Sequence, residues 1–244
     1  MFRGIYTGAS GMLSELVRVD TISNNLANSD TVGYKRDQTV VRSFPEVFVY
    51  EFYNYREPVP LGFMGTGAYV DDVFTLNTSG SSIPSSNPLD IAIKNGFLVV
   101  MTPMGERYTK NGQLMINEEG YLSTVDGYLV LGERGSVQVQ QGGEIVITAG
   151  GEILIDGKFI DNLRVVIPQG GERIEKIGNN LVNFNPQPVQ PEVEQYALEN
   201  SNVNVVREMV ELISAYRAYE SNQKLIQAED GITERLISDL GRFA

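Results

Sequence analysis

The sequence predicts an α+β fold, with N- and C-terminal helices paired as a coiled coil around a central, mainly antiparallel β domain. Three observations predict it. Apolar residues recur in alternating steps of four and three from Ile5 to Leu26. They recur in the same way from Val203 to Leu240. Between these stretches the chain is rich in Gly, Val and Asn, and alternating apolar residues are broken by Asn-Gly and Asp-Gly pairs. A 3.5-residue rhythm makes a narrow seam that is buried against another helix. Period-two alternation with such turn pairs marks short antiparallel strands.

On this reading the chain has four segments: a helix and its following motif (1–35), an extended connector (36–68), the β domain (69–191) and a second helix (192–244). In the first, Ile5, Ala9, Met12, Leu16, Val19 and Leu26 form the seam, with Ser23 in the one polar slot. Thr7 or Ser10 can cap its start. Gly8 and Gly11 each weaken the first turns by roughly 1 kcal/mol relative to Ala. They either fray the terminus or let a neighbouring backbone come close. The run from Ala27 to Lys35 supplies Asn, Ser, Asp and Gly, which stop a helix. A helix from about Arg3 to Asn28 is roughly 40 Å long at 1.5 Å per residue.

In the connector, Phe44, Phe48, Tyr50, Phe52, Tyr53 and Tyr55 crowd together ahead of Pro58, Pro60, Gly62, Gly65 and Gly67. The period-two placing of Phe48, Tyr50 and Phe52 gives an extended segment with one aromatic face. Such a face serves either as domain core or as subunit contact.

The β domain opens with Leu89–Ile93 and the buried-strand run Phe97–Met101, separated by a hairpin signal at Asn95-Gly96. Asn111-Gly112, Asp126-Gly127 and Asp156-Gly157 repeat the turn chemistry. Asp156-Gly157 suits a type I′ turn, because both residues tolerate positive φ. Val137, Val139, Ile145, Ile147, Ile153 and Ile155 alternate around two Gly-Gly-Glu-Ile repeats at 142–145 and 150–153. These doublets are not a phosphate loop, since no Lys-Ser/Thr follows and no helix pattern opens. Pro186, Pro188 and Pro191 predict a semi-rigid linker out of the β domain. In the last segment Val206, Met209, Leu212, Tyr216, Tyr219, Ile226, Ile237 and Leu240 continue the helical rhythm, interrupted by Gln223, Asp230 and Thr233.

Composition narrows the function. The net charge is −12, from 19 basic and 31 acidic residues, which argues against a nucleic-acid surface. No stretch approaches the roughly 18–20 apolar residues of a membrane span, so no direct membrane insertion is expected. The segment Met1–Ser10 holds one arginine and no apolar run, so a cleaved secretory signal is not expected. Histidine and cysteine are absent. That removes the usual zinc and copper ligands and the Ser-His and Cys-His nucleophile systems. The adjacent pairs Asp71-Asp72 and Glu118-Glu119 are the carboxylates an enzyme reading would use. Neighbours on a strand point to opposite faces, so neither pair is an acid/base dyad. No catalytic residue, cofactor or metal is expected. A carbohydrate- or wall-binding β module is the alternative from another class, weakened by the absence of Trp. An unrelated coiled-coil adhesin would also pair helices, but would carry an export signal.

Several segments resemble flagellar rod and hook proteins. Ala9–Met12, Asn24–Asn28 and Thr31–Lys35 resemble the family's N-terminal signature. Asn200–Val210, Arg217–Glu220 and then Asn222, Lys224, Ile226 and Gln227 resemble its C-terminal signature. Leu89–Ile93, Gly96-Phe97, Tyr108–Gly112 and Gly120–Leu122 match the β-domain pattern of its rod members.

The resemblance implies a basal-body rod subunit. Such a subunit leaves the cell through the flagellar type III export apparatus without a cleaved signal. It polymerises in the periplasm, with itself and other rod subunits, into the drive shaft between motor and hook. The terminal helices then form an inner tube and the β domain faces outward. The short chain and its Arg3–Gly8 opening are more similar to the proximal-rod type than to the distal-rod type. Asn24, Asn25 and Asn28 are candidate polar contacts that fix register, or solvated ends, and Asn202 is counted among the assembly-helix residues. Arg207, Glu208 and Glu220 either pair between helices or stay solvated. The helices are expected to order only on polymerisation.

Overall fold

A computed structural model describes residues 3–51, 58–139, 143–170, 173–178 and 180–242, with side chains of the final helix described through residue 239. Phe52, Tyr53, Tyr55, Gly142 and the side chain of Leu240 lie outside the described residues. Two compact units form. One gathers 1–26, 37–74 and 205–244; the other gathers 27–36 and 75–204.

The first unit is built on two helices, α1 (Arg3–Ala27) and α2 (Val205–Arg242), which pack closely. Helix α1 stops at a turn in which the Thr31 amide and hydroxyl both reach back to Asn28. Helix α2 begins after Asn204, a preferred N-cap residue type. It carries Glu208 in its first turn, where the helix dipole favours an anion. Val19, Ile22 and Ala215 form the buried cluster of this unit, with Leu212 packed on it. Strand Asp37–Ser43 pairs with Ala68–Thr75. Among the described residues, strand Val47–Glu51 pairs only with Val59–Met64, as a two-stranded antiparallel hairpin bulged at Val49/Tyr50.

The second unit is antiparallel throughout its described pairings. Its ten-stranded sheet runs Glu175–Ile177, Leu181–Asn183, Gly105–Thr109, Phe97–Thr102, Leu129–Gly132, Leu122–Thr124 and Leu114–Ile116, with three further strands attached. A meander of Ile145–Ile147, Glu152–Ile155 and Lys158–Asn162 packs its apolar face inward. The alternating set Val137, Val139, Ile145, Ile147, Ile153 and Ile155 is buried in one cluster with Ile91, Leu98, Leu122 and Val130. The Asp156-Gly157 turn has φ of 49° and 75°, the two positive values a type I′ hairpin requires. Ile153 is fully buried. Ile153→Ala is therefore expected to cost about 2–5 kcal/mol, read as a lower denaturation midpoint of the β unit in urea.

Two turn readings are corrected. Asn95-Gly96 does not close a hairpin: Ile91–Ile93 pairs with Val193–Gln195, while Phe97–Thr102 belongs to the large sheet. The Asn95 side chain instead bonds the Gln190 carbonyl and the Glu192 amide, so the dipeptide bridges two sheets. The proline segment is not a linker out of the β unit. Pro186–Pro188 pairs with Val165–Pro168 at the sheet edge, where a residue without an N–H is tolerated. Strands Val193–Gln195 and Ala197–Glu199 then follow before α2 begins.

Of the two uses open to the aromatic segment, its described part does not serve as core. Phe44, Phe48 and Tyr50 are exposed rather than core. Phe48 packs on Tyr50 and Phe63 at ring separations of 5.0 and 4.9 Å, and Phe44 stacks on Tyr69 at 5.0 Å.

Candidate assembly interface

Helix α1 presents two different faces. One meets α2. It carries Gly4, Gly8, Gly11, Val19, Ile22 and Asn25, and of these Gly8 and the last three are buried. A Cβ placed on Gly8 would lie 3.0 Å from Ile226 Cγ1 and 3.1 Å from Leu225 Cδ2. One on Gly11 would lie 2.9 Å from Asn222 Nδ2, and one on Gly4 2.5 Å from Glu229 Oε1. The glycines thus let α2 side chains lie directly on the α1 backbone. That close packing compensates for their poor helix propensity.

The other face is the apolar seam. At 3.6 residues per turn its centre lies about 90° around the helix from the glycine face. Only Val19 belongs to both. Ile5, Met12 and Leu26 are half-buried, and Leu16 is 45% exposed. On α2 the predicted positions divide in the same way. Leu212 and Ile226 pack toward α1, and Tyr219 is half-buried. Met209 and Tyr216 are exposed, and Val206 is 72% exposed. Val210 and Ile213 extend this outer apolar strip.

A polar lock sits where the helices approach the paired strands. Asn25 is fully buried. Its Oδ1 accepts from the Asp37 amide at 2.9 Å, and its Nδ2 donates to the Asp37 carbonyl at 2.8 Å. The same Nδ2 donates to Glu208 Oε2 at 3.2 Å. Glu208 is fully buried as well. This one amide therefore sets the level of α1 against α2 and against the Asp37 strand. Arg207 pairs along its own helix with Glu211 at 3.0 Å, and Glu220 is exposed. Asn24 is exposed, Asn28 closes the α1 turn, and Asn202 lies in the β unit just ahead of α2.

Sequence reasoning named Gly8 and Gly11 but overlooked Gly4, Ile22 and Ala215. The signal was available: Gly4, Gly8 and Gly11 follow the four-three rhythm themselves, but glycine carries no hydropathy. An open pocket of about 540 Å³ lies beside this face. Arg3, Tyr6, Val47, Met64, Leu225 and Glu229 are among its lining residues. Among the described residues no cluster of acidic side chains is placed to hold a metal ion. No helix is long and apolar enough to cross a membrane.

Three family models match this chain. The flagella basal body rod protein model covers residues 5–35. The flagellar hook protein FlgE/F/G D1 domain model covers 92–211. The flagellar basal body rod FlgEFG protein C-terminal model covers 194–239. The flagellar basal-body rod protein FlgG of Caulobacter vibrioides is 31% identical over 93% of this chain and 95% of its own length.

The chain belongs to the flagellar basal-body rod protein family.

FlgF of the same organism is 30% identical over the full length of both chains. The flagellar hook-basal body complex protein FlhO of Bacillus subtilis is 28% identical, also over the full length of both. As a rod-family protein the chain is a structural subunit and not an enzyme. The signature segments fall on α1 with its following turn, on the Asn200–Asn204 approach and on α2. These are the segments that build the glycine face, the outer apolar strips and the Asn25–Glu208 lock.

Proposed function

We propose that this chain is a proximal-rod subunit. It polymerises through its terminal helices into the tubular drive shaft between motor and hook. One observation carries the reading: α1 and α2 bury one face in each other and keep a second apolar strip exposed. A helix whose strip remains unburied in the subunit has contacts to make elsewhere. Seam residues Ile5, Met12, Leu16, Val206, Met209 and Tyr216 meet helices of neighbouring subunits. Asn24 and Asn28 contribute polar register contacts. Repetition on a non-closing operator gives a helical tube. The proposal includes export through the flagellar type III apparatus, a periplasmic location and contact with other rod subunits. The functional division is that of α1 and α2 as tube segments and of the β unit, 27–36 and 75–204, as outer domain.

The exposed hairpin supports a second contact with neighbours. An isolated two-stranded hairpin is at best marginal in water, yet this one exposes Val59, Leu61 and Phe63, the last at 71%. The double variant L61S/F63S is expected to leave subunit stability within about 0.5 kcal/mol, as exposed positions do. It is expected to reduce incorporation into basal bodies, measured by immunoblot of purified particles. Wild-type incorporation would remove the hairpin from the interface.

A distal-rod subunit of the same family is the alternative, since FlgG and FlgF proteins match this chain about equally, at 31% and 30% identity. Imaging of labelled subunits in isolated basal bodies decides between the two. Label at the motor-side part of the rod supports the proximal reading, and label at the hook side supports the distal one.

A further inference from the structure

The β unit holds a buried charged cluster that neither the core nor the helix faces explain. Lys35 Nζ lies 2.5 Å from Glu199 Oε1, and Lys110 Nζ lies 3.1 Å from Glu199 Oε2. All three side chains are almost fully buried. Further hydrogen bonds from the cluster go to backbone. Lys35 donates to the Thr78 carbonyl at 2.8 Å and Lys110 to the Ile93 carbonyl at 2.6 Å. The Gly80 amide donates to Glu199 Oε1 at 2.9 Å. Lys176 joins from another strand, donating to the Lys35 carbonyl at 2.7 Å with its ammonium 3.9 Å from the Tyr34 ring centre.

These residues are spread widely in sequence but share one topological property. The chain crosses between the two units four times, at Leu26–Ala27, Arg36–Asp37, Phe74–Thr75 and Asn204–Val205, and because the first two crossings bound one short segment there are three connecting segments. Lys35 lies on the first connecting segment, Thr78 and Gly80 on the second, and Glu199 on the third. Backbone bonds repeat the pattern. The Gly33 amide donates to the Glu199 carbonyl at 2.8 Å, the Leu76 amide to the Arg36 carbonyl at 2.8 Å and the Asn200 amide to the Ser81 carbonyl at 2.9 Å. Asn202 Nδ2 donates to the Leu76 and Thr78 carbonyls, and its Oδ1 accepts from the Arg36 amide.

We infer that Lys35, Lys110 and Glu199 form a clasp that ties the three connecting segments together at one place on the β unit. The clasp opens as a local unit, separately from the apolar core. Burial alone would raise the Glu199 carboxyl. The Lys35 hydrogen bond, the Lys110 charge and the Gly80 amide outweigh it and hold the group below its ordinary value. Burial lowers Lys110, against the pull of Glu199. One anion thus serves two buried ammonium groups. Removing it leaves two like charges facing each other without a partner, the costliest way to break a buried pair. The clasp lies entirely within the β unit, so it does not depend on how the helices assemble.

Native-state hydrogen exchange on the full-length chain tests this. In Glu199→Gln the amides of Gly33, Leu76, Gly80 and Asn200 are expected to exchange at least about tenfold faster. The core amides of Val99 and Leu163 are expected to stay within about twofold. Uniform acceleration, or none, overturns the clasp as a separate unit. Should that variant fail to fold, the wild-type chain provides the second test. In sub-denaturing urea the clasp amides should open with a smaller urea dependence than the core amides. A common opening for both groups overturns the inference.

Discussion

Circular dichroism of the isolated subunit at micromolar concentration is expected to show much less helix than α1 and α2 contain, with the rest appearing on polymerisation. The two helices span 25 and 38 residues. Among the described residues their shared apolar cluster has only Val19, Ile22 and Ala215 buried, with Leu212 partly buried against them. Each large buried side chain contributes roughly 1.5–3 kcal/mol. Fixing the backbone costs about 1–2 kcal/mol for every residue ordered. Most helical stability in proteins comes from packing an apolar face, and here much of that face awaits a neighbour. On the proposed assembly, Leu16, Val206, Met209 and Tyr216 supply the missing burial only in the polymer. High helicity in the monomer, unchanged by deletion of residues 1–30, would show that the helices do not depend on assembly.

Gly8→Leu is expected to abolish motility and incorporation while leaving the thermal transition of the β unit unchanged. A Cβ alone at this position lies 3.0 Å from Ile226, and a leucyl group has no space against Leu225 and Ile226. Overpacking costs about 1–3 kcal/mol per site, and in the proposed tube the defect would recur in every subunit. Gly8→Ala needs only a shift of a few tenths of an ångström and is expected to be milder. Motility in a complemented null strain, with calorimetry of the purified variant, reads both effects. A fully motile Gly8→Leu strain would mean that the helices do not approach closely in the rod.

Much of the architecture was legible because it rests on periodicity. The four-three rhythm located both helices, and the alternation from Val137 to Ile155 located the buried face of the meander. Asp156-Gly157 was legible because a two-residue loop with two positive φ values has few other solutions. Asn95-Gly96 has the same composition but a different role, because its side-chain partners at Gln190 and Glu192 lie far along the chain. The proline run was misjudged for a related reason. Proline disfavours a central strand and not an edge strand, and edge position is a tertiary property. The face joining α1 to α2 escaped hydropathy because glycine, Asn25 and Glu208 build much of it. Lys35 and Glu199 stand 164 positions apart, and nothing local marks them as partners.

The most direct measurement is maleimide labelling of single-cysteine variants, which the cysteine-free sequence permits without background. Leu16→Cys and Tyr216→Cys place the probe on the two outer helix strips, and Met104→Cys places it on an exposed loop of the β unit. Assembly through the terminal helices predicts that the first two label rapidly in the monomer and become protected in purified basal bodies, while position 104 stays reactive. Equal reactivity of positions 16 and 216 in monomer and basal body would contradict it.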